Sequence, residues 1–300
     1  MRIALKADVD TLRGTLEGVP ALLDLYRRYG VQATFLFSLG PDHTGRALRR
    51  VFRRGFLGKV RRTSVARHYG FKTLLYGIML PGPDISRRAG AILRQTAAAG
   101  HEAGIHCYDH VRWQDFVKAR GFEWTRQELE RAADAFERVF GRRADVHGAA
   151  GWQINRHALE LEERLGFRYA SDTRGSQPFL PSMDGYDGGC PQLPTTLPTL
   201  DELLGRNGIG ENNVAERIFE ASRKNLPHGH VYTLHAELEG MKLLPVMEEL
   251  LRRWRATGDE ICSLGALAST LNPASLPRHR VRWAELEGRS GVLAVQGETG

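Results

Sequence analysis

Two acidic residues, Asp8 and Asp10, close an apolar run near the N-terminus, Arg2-Ile-Ala-Leu-Lys-Ala-Asp-Val-Asp-Thr11. Much later come His106-Cys-Tyr-Asp-His110 and Tyr232-Thr-Leu-His-Ala-Glu237. Residues two apart on a strand point to the same face, so the two carboxylates are expected side by side. Carboxylates that close repel unless a cation or a shared proton intervenes. His106 and His110 are four apart, and a helical turn after His106 would converge both rings on one point. Two imidazoles and one carboxylate, with open positions left, suit Zn²⁺ or another first-row divalent ion such as Mn²⁺ or Co²⁺. Taken singly, the acids could be solvated loop residues and the histidines structural. Their coincidence at strand ends is what points to a metal.

His235 closes the apolar run Val231-Tyr-Thr-Leu-His235. A histidine there could be a core residue bonded to backbone, but a shared rim with the other groups makes it a candidate general acid. Asp172, in Ser171-Asp-Thr-Arg-Gly175, is the expected partner that orients and charges it. The chemistry is then metal-assisted hydrolysis of an amide. A bound ion brings the pKa of water toward ~7 and polarises the carbonyl. The free carboxylate of the Asp pair takes the proton, and a backbone N–H supports the oxyanion. Protonated His235 supplies the leaving amine with a proton, without which an amine leaves poorly.

Those residues need elements to hold them. Residues 2–10 read as a buried strand. Residues 17–30 read as a helix, with Pro20 in its first turn and Gly30 as its stop. Further strands are expected at 32–39, 101–107, 146–150, 167–172, 192–195, 230–235 and 260–264, with another at 292–295. Helices are expected at 85–99, 125–140, 155–166, 212–225 and 243–257. Thr125 and Glu128 have capping-box spacing. Strands and helices alternate about seven times, which points to a parallel sheet of βα units. A β/α barrel is favoured over an open doubly wound sheet, because no Gly-rich phosphate loop follows the first strand.

Three cysteines, Cys107, Cys190 and Cys262, are scattered and odd in number. They suggest no disulfide framework, and hence a reducing compartment. The first apolar run is too short for a secretory signal, and no stretch approaches the ~18 apolar residues that span a bilayer. A cytoplasmic protein is expected. The net charge is +7, yet from His43 to Pro83 there is no acidic residue and there are ten Lys and Arg. The remainder of the chain is therefore net acidic.

With these residues in view, the chain resembles the polysaccharide deacetylase family (NodB-type carbohydrate esterases and de-N-acylases). The resemblance implies a distorted (β/α)7 barrel, a catalytic aspartate, an Asp-His-His metal site holding one divalent ion, and a catalytic histidine. It assigns Asp8 as base and Asp10, His106 and His110 as ligands, with His235 as acid and Asp172 as the carboxylate that tunes it. Two departures stand out. The family's adjacent Asp-Asp is here Asp-Val-Asp, so the roles of Asp8 and Asp10 could be exchanged. The family segment that supplies a base-orienting Arg and an oxyanion N–H is here Ala149-Ala-Gly-Trp152. Gly151 and Trp152 are then the oxyanion candidates, Arg174 the candidate replacement for the Arg, and Glu237 a candidate contact to a substrate amine.

The likeness runs furthest toward a branch of that family that deformylates a lipid-linked aminosugar. It rests on Asp8-Val-Asp-Thr-Leu-Arg-Gly-Thr-Leu-Glu-Gly-Val-Pro20, Ser171-Asp-Thr-Arg-Gly175, Gln192-Leu-Pro-Thr-Thr-Leu-Pro-Thr-Leu-Asp-Glu202 and Tyr232-Thr-Leu-His-Ala-Glu-Leu-Glu-Gly240. It implies removal of formate from undecaprenyl-phosphate-linked 4-deoxy-4-formamido-L-arabinose, in the aminoarabinose modification of lipid A. The basic stretch then has a use. Leu48, Phe52, Phe56 and Val60 recur every four residues with arginines between them. This is the pattern of an amphipathic basic helix on anionic lipid, led by Arg49, Arg50, Phe52, Arg53 and Phe56. The same stripe would also pack a solvated helix on the barrel. The expected organisation is a barrel over 1–270, a basic amphipathic insertion at 41–85, and a C-terminal extension at 271–300. The expected location is the inner face of the inner membrane. Two other readings compete. A de-N-acetylase of another glycan or glycolipid would share the site. A nucleic-acid binder would use the basic stretch but leave Asp8, Asp10, His106, His110 and His235 without a role, so no nucleic-acid partner is expected.

Overall fold

The computed structural model describes residues 1–47 and 71–300, with only the backbone of Phe71. The expected basic helix, with Arg49, Arg50, Phe52, Arg53 and Phe56, lies outside the described residues.

The strands are β1 (Arg2–Val9), β2 (Thr34–Ser38), β3 (Glu102–Cys107), β4 (Val146–His147), β5 (Tyr169–Ala170), β6 (Leu180–Met183), β7 (Tyr186–Asp187), β8 (His230–His235), β9 (Glu260–Ser263), β10 (Arg278–Glu285) and β11 (Val292–Thr299). Seven of them form a parallel sheet in the order β5-β4-β3-β2-β1-β8, with β9 also paired to β1. β1 is the centre. Every residue of it after Arg2 is buried, as expected for a parallel strand covered on both faces. One edge of β1 takes β8, from Ile3↔His230 to Asp8↔His235. Its other edge is shared: β9 pairs with Arg2–Leu5 and β2 with Lys6–Val9. That split distorts the barrel.

The expected strand at 192–195 forms no ladder of its own. It bridges the gap between β5 and β8 instead. Leu193 N donates to Ala170 O (2.8 Å), Thr196 N donates to Val231 O (3.1 Å), and Thr195 and Thr233 share a hydroxyl hydrogen bond of 2.7 Å. Pro191 and Pro194 remove the donors a continuous ladder would need. The fold is thus the expected α/β class, a parallel sheet curled toward closure with helices outside.

Helix ends follow local chemistry. The helix Val19–Tyr29 carries Pro20 at its start and is closed by left-handed Gly30 (φ 56°). The Asn155 side chain accepts from Ala158 N to cap Arg156–Leu165. One expectation fails. The helix expected from Thr125 begins at Phe122, and Thr125 lies inside it, its hydroxyl donating to Gly121 O and accepting from Asn155 Nδ2. Buried Thr125 serves the packing of two helices, which outweighs its propensity to cap.

The C-terminal residues are integrated with the barrel. β10 and β11 form a hairpin, and β10 extends a second sheet in the order β11-β10-β6-β7. Val281 and Ala294 of this hairpin share an apolar cluster with Trp113, Leu159 and Phe179.

Candidate active site and metal centre

The site is assembled at the C-terminal ends of β1, β3 and β8. The β1–β8 register sets Asp8 beside His235, on one face of the sheet. β1 ends at Val9, and the chain then bends sharply. Buried Glu237 fixes the bend: its Oε1 accepts from Asp10 N (3.0 Å), Thr11 N (2.8 Å) and Thr11 Oγ1 (2.9 Å). Asp42 accepts from Leu12 N (2.9 Å) just beyond. Gly14 is required here, because a Cβ on it would lie 2.0 Å from Glu237 Oε1. Asp10 is thereby turned toward β3.

His106 lies near the end of β3, and His110 opens the helix His110–Phe116, capped by Asp109. The expected helical turn is therefore present. The Nε2 atoms of His106 and His110 stand 3.3 and 3.4 Å from Asp10 Oδ1. His106 Nδ1 lies 2.6 Å from Gly148 O. A carbonyl only accepts, so Nδ1 carries the hydrogen and Nε2 carries the lone pair. Asp10 Oδ1 is buried and accepts no hydrogen bond among the described residues. Burial pushes the Asp10 carboxyl up, but the His110 and His106 imidazoles more than offset this and hold it well below the usual carboxylate range. Atoms about 2.0–2.1 Å from a tetrahedral ion lie roughly 3.3–3.4 Å apart, so this donor set fits such an ion.

Asp8 is held apart from that trio. Its Oδ2 is 3.7 Å from the ammonium of Lys6, a lysine with no exposed surface. Its Oδ1 is 3.9 Å from His106 Nδ1 and, like Asp10 Oδ1, accepts no hydrogen bond among the described residues. Lys6 Nζ also donates to Ser171 O (2.8 Å) and lies 5.6 Å from the centroid of a Trp152 ring.

His235 is half-buried, and its backbone N–H donates to Glu239 Oε2 (3.0 Å). Burial pushes the imidazole pKa down, but the carboxylates of Asp201 and then Asp10 pull it up, and the net shift is upward. Glu239, buried and bonded to the Tyr232 hydroxyl, is pushed up to about 7 by burial, against the pull of His235.

Asp172 was expected to tune His235 and does not touch it. Its carboxylate accepts from Ala149 N (2.7 Å) and Gln192 Nε2 (2.7 Å) and lies 3.2 Å from His147 Nδ1. Glu162 completes this second cluster, 2.7 Å from the same Nδ1, and all three residues are wholly buried. Burial would lower His147, yet Asp172 and Glu162 raise it to about 10. Asp172 is held at about 2, by His147 against burial, while burial and the Asp172 charge push Glu162 far up. The cluster is a charge-balanced buried network beside the site. It captures Asp172 because β4 and β5 are neighbours, whereas β5 and β8 are not.

Three further expectations change. Glu237 is buried against the β1 bend, so it positions Asp10 and does not face a substrate amine. The Arg174 guanidinium pairs with Glu202, donates to Leu197 O (2.9 Å) and sits 5.1 Å from the Trp152 ring; it does not reach Asp8. The Trp152 N–H is occupied by Ala149 O (3.2 Å), which removes it as an oxyanion donor. Gly151 and Trp152 both have positive φ (63° and 52°), a strained turn that sets the indole beneath Lys6, Arg174 and Arg289. Arg289, from the β10–β11 hairpin, lies 3.0 Å from Asp201 and 2.9 Å from Glu202. Lys6, Asp201 and Arg289 are the residues missed in the sequence. A lysine in an apolar run reads as an exception facing solvent, and no spacing links positions 201 and 289 to β8. A cleft of about 710 Å³ lined by Tyr26, Gln32, His101 and Cys262 contains none of the site residues.

A family model described as polysaccharide deacetylase matches residues 9–170. A relative from Shewanella sediminis (strain HAW-EB3), named "Probable 4-deoxy-4-formamido-L-arabinose-phosphoundecaprenol deformylase ArnD", is 35% identical over 98% of this chain and 94% of its own length. A relative of the same name from Wigglesworthia glossinidia brevipalpis is 30% identical over 94% of this chain and 98% of its own. A Mycobacterium smegmatis crystal structure assigned as a polysaccharide deacetylase superposes with a TM-score of 0.63 at 19% identity, covering 95% of this chain and 94% of that one. That structural likeness speaks for the fold.

Proposed function

Since this chain belongs to the polysaccharide deacetylase family and is a hydrolase of linear amide bonds, we propose that it removes formate from undecaprenyl-phosphate-linked 4-deoxy-4-formamido-L-arabinose, with one divalent metal ion, in the aminoarabinose modification of lipid A. The observation that carries the reading is the pairing of an end-to-end match to relatives bearing that activity in their names with a donor set spaced for an ion.

In this reading Asp10, His106 and His110 hold the ion. When bound, it acidifies water and polarises the formyl oxygen. Asp8 Oδ1, buried and without a donor among the described residues, accepts the proton that the attacking water loses. His235 neighbours Asp8 across the β1–β8 ladder and gives a proton to the departing amine. The Asp201 carboxylate raises the His235 pKa and so favours its acid form, and Arg289 holds Asp201. Glu237 and Gly148 fix the ligands, one through the Asp10 backbone and one through His106 Nδ1.

The organisation we propose is a barrel over 1–270 carrying an insertion at 41–85 and an extension at 271–300. The insertion rests on the inner face of the inner membrane, using Arg49, Arg50, Phe52, Arg53 and Phe56. At its described edge Ile78, Met79 and Leu80 are exposed (49%, 77% and 37%), an apolar tip of the kind that enters a lipid interface. Among the described residues no helix is long and apolar enough to cross a membrane.

The test is formate release from the lipid-linked formamido sugar, with the acetamido analogue run beside it. Formate release at a rate at least tenfold above acetate release is expected, a flag of about 1.4 kcal/mol in selectivity. Equal or preferred acetate release would move the chain to the de-N-acetylases.

A further inference from the structure

We propose that Lys6 is the positioning residue of the base: it pins Asp8 Oδ2, leaves Oδ1 as the proton-accepting oxygen, and so separates the base from the ligand Asp10. This rests on the assignment of Asp8 as base. Lys6 precedes Asp8 by two residues on β1, so both side chains leave the same face of the strand. The lysine is wholly buried, and a buried ammonium needs a counter-charge and hydrogen-bond acceptors. Ser171 O supplies an acceptor at 2.8 Å, and Asp8 Oδ2 is the carboxylate at ion-pair distance, 3.7 Å. The rest of the side chain is walled in. The Trp152 indole lies to one side, and a Cβ on Gly148 would stand 3.4 Å from Lys6 Cε and Nζ. An ammonium fixed in this way restricts the Asp8 rotamer.

The two oxygens of Asp8 are consequently unequal. Oδ2 faces the Lys6 amine, whose charge Asp8 favours against burial, while Oδ1 faces the His106 side of the site and has no donor among the described residues. Among the described residues Asp10 pairs with no lysine or arginine and faces two imidazole nitrogens instead. The side chain that would make Asp8 a second ligand is thus held the other way. Arg174, the candidate replacement for the family's orienting Arg, is committed to Glu202.

The experiment uses the full chain loaded with Zn²⁺, in the variants Lys6→Met, Lys6→Arg, Asp8→Asn and the Lys6→Met/Asp8→Asn double variant. Melting temperature and bound zinc are measured in each. Lys6→Met should lower kcat about 10²-fold, the scale of a misplaced catalytic group, with KM and zinc content kept. Lys6→Arg should recover most of that loss. In the Asp8→Asn background Lys6→Met should cost less than about threefold, because groups acting as a unit are not additive. If Lys6→Met does not fold, Lys6→Gln, which keeps a donor to Ser171 O but no charge, carries the same comparison. A Lys6→Met or Lys6→Gln enzyme within about threefold of the parent, beside an inactive Asp8→Asn, would overturn the role of Lys6 alone. A full additional loss in the double variant would do the same. An active Asp8→Asn enzyme would remove the base assignment itself.

Discussion

At the scale of single residues, the base, the ligands and the groups that tune the acid are expected to fail in different ways. Asp8→Asn should lower kcat/KM by about 10²–10⁴-fold while metal content is retained, read by steady-state kinetics beside elemental analysis. The fate of the two other acids separates tuning from architecture. In the proposed role His235 acts as a protonated acid, so activity should fall as pH rises through its raised pKa. Asp201 is the main carboxylate holding that value up, and Asp201→Asn should move the basic limb of the kcat profile to lower pH. Asp172→Asn should leave that limb in place. It removes one partner of a buried charged network, and should cost about 3–5 kcal/mol in chemical denaturation. An unmoved limb in Asp201→Asn, or a moved one in Asp172→Asn, would reverse the assignment. That Asp8, Asp10, His106, His110 and His235 share one rim was legible because apolar runs end at or beside Asp8, Asp10, His106 and His235, and His110 follows His106 by one helical turn. Asp172 was misplaced for the same reason: a strand end says which rim a residue joins, not which neighbour it meets. That depends on strand order.

At the scale of elements, the site depends on a bend and a buried network. Gly14→Ala puts a methyl 2.0 Å from Glu237 Oε1, with buried protein on every side. Displacing Glu237 frees the Asp10 and Thr11 backbone, so metal affinity should fall by about 10–100-fold, the range for loss of a supporting contact, measurable by competition with a chelator. Glu237→Ala should match it in direction. In the His147–Glu162–Asp172 network, raised Glu162 costs stability as pH rises above its unfolded value of about 4.3, and the two other members set opposite windows. His147 is raised to about 10, so its contribution is complete below its unfolded value of about 6.5 and disappears as pH rises through about 10. Asp172 is lowered to about 2, so its contribution is present above about 3.9 and disappears as pH falls toward 2. His147→Leu should therefore flatten the loss of stability between pH 7 and 10, seen in melting temperature. The helices were the readable elements, as Gly30 and Asn155 show, because their caps are local. The Gln192–Thr195 segment and the β10–β11 hairpin were less so. The first forms no ladder and is held by isolated bridges to its neighbours, and the second holds its place through Arg289, Val281 and Ala294, contacts with residues far away in sequence.

For the whole molecule, the proposed membrane docking ties the uneven charge to the site. The acid-free stretch from His43 to Pro83 departs from the barrel just after β2, beside the strands that carry Asp8 and His106. The lipid-linked sugar proposed as substrate would be met at a membrane surface, where each Lys or Arg near anionic lipid contributes about 1 kcal/mol. Binding to vesicles containing phosphatidylglycerol should be lost at high salt, and Arg49→Glu/Arg50→Glu/Arg53→Glu should weaken it about 10²-fold or more without altering hydrolysis of a short-chain substrate analogue. Unchanged vesicle binding in that variant would place the membrane contact elsewhere.

The central claim is that Asp10, His106 and His110 hold one ion on which amide hydrolysis depends. Its most direct measurement is a titration of metal-stripped protein with Zn²⁺, Mn²⁺ or Co²⁺, following bound metal and formate release together, with Asp10→Asn and His106→Ala alongside. The account predicts activity rising in proportion to occupancy and saturating at one ion per chain, with both variants failing to bind and to turn over. Full activity in the stripped protein, or stoichiometric binding in either variant, would contradict it.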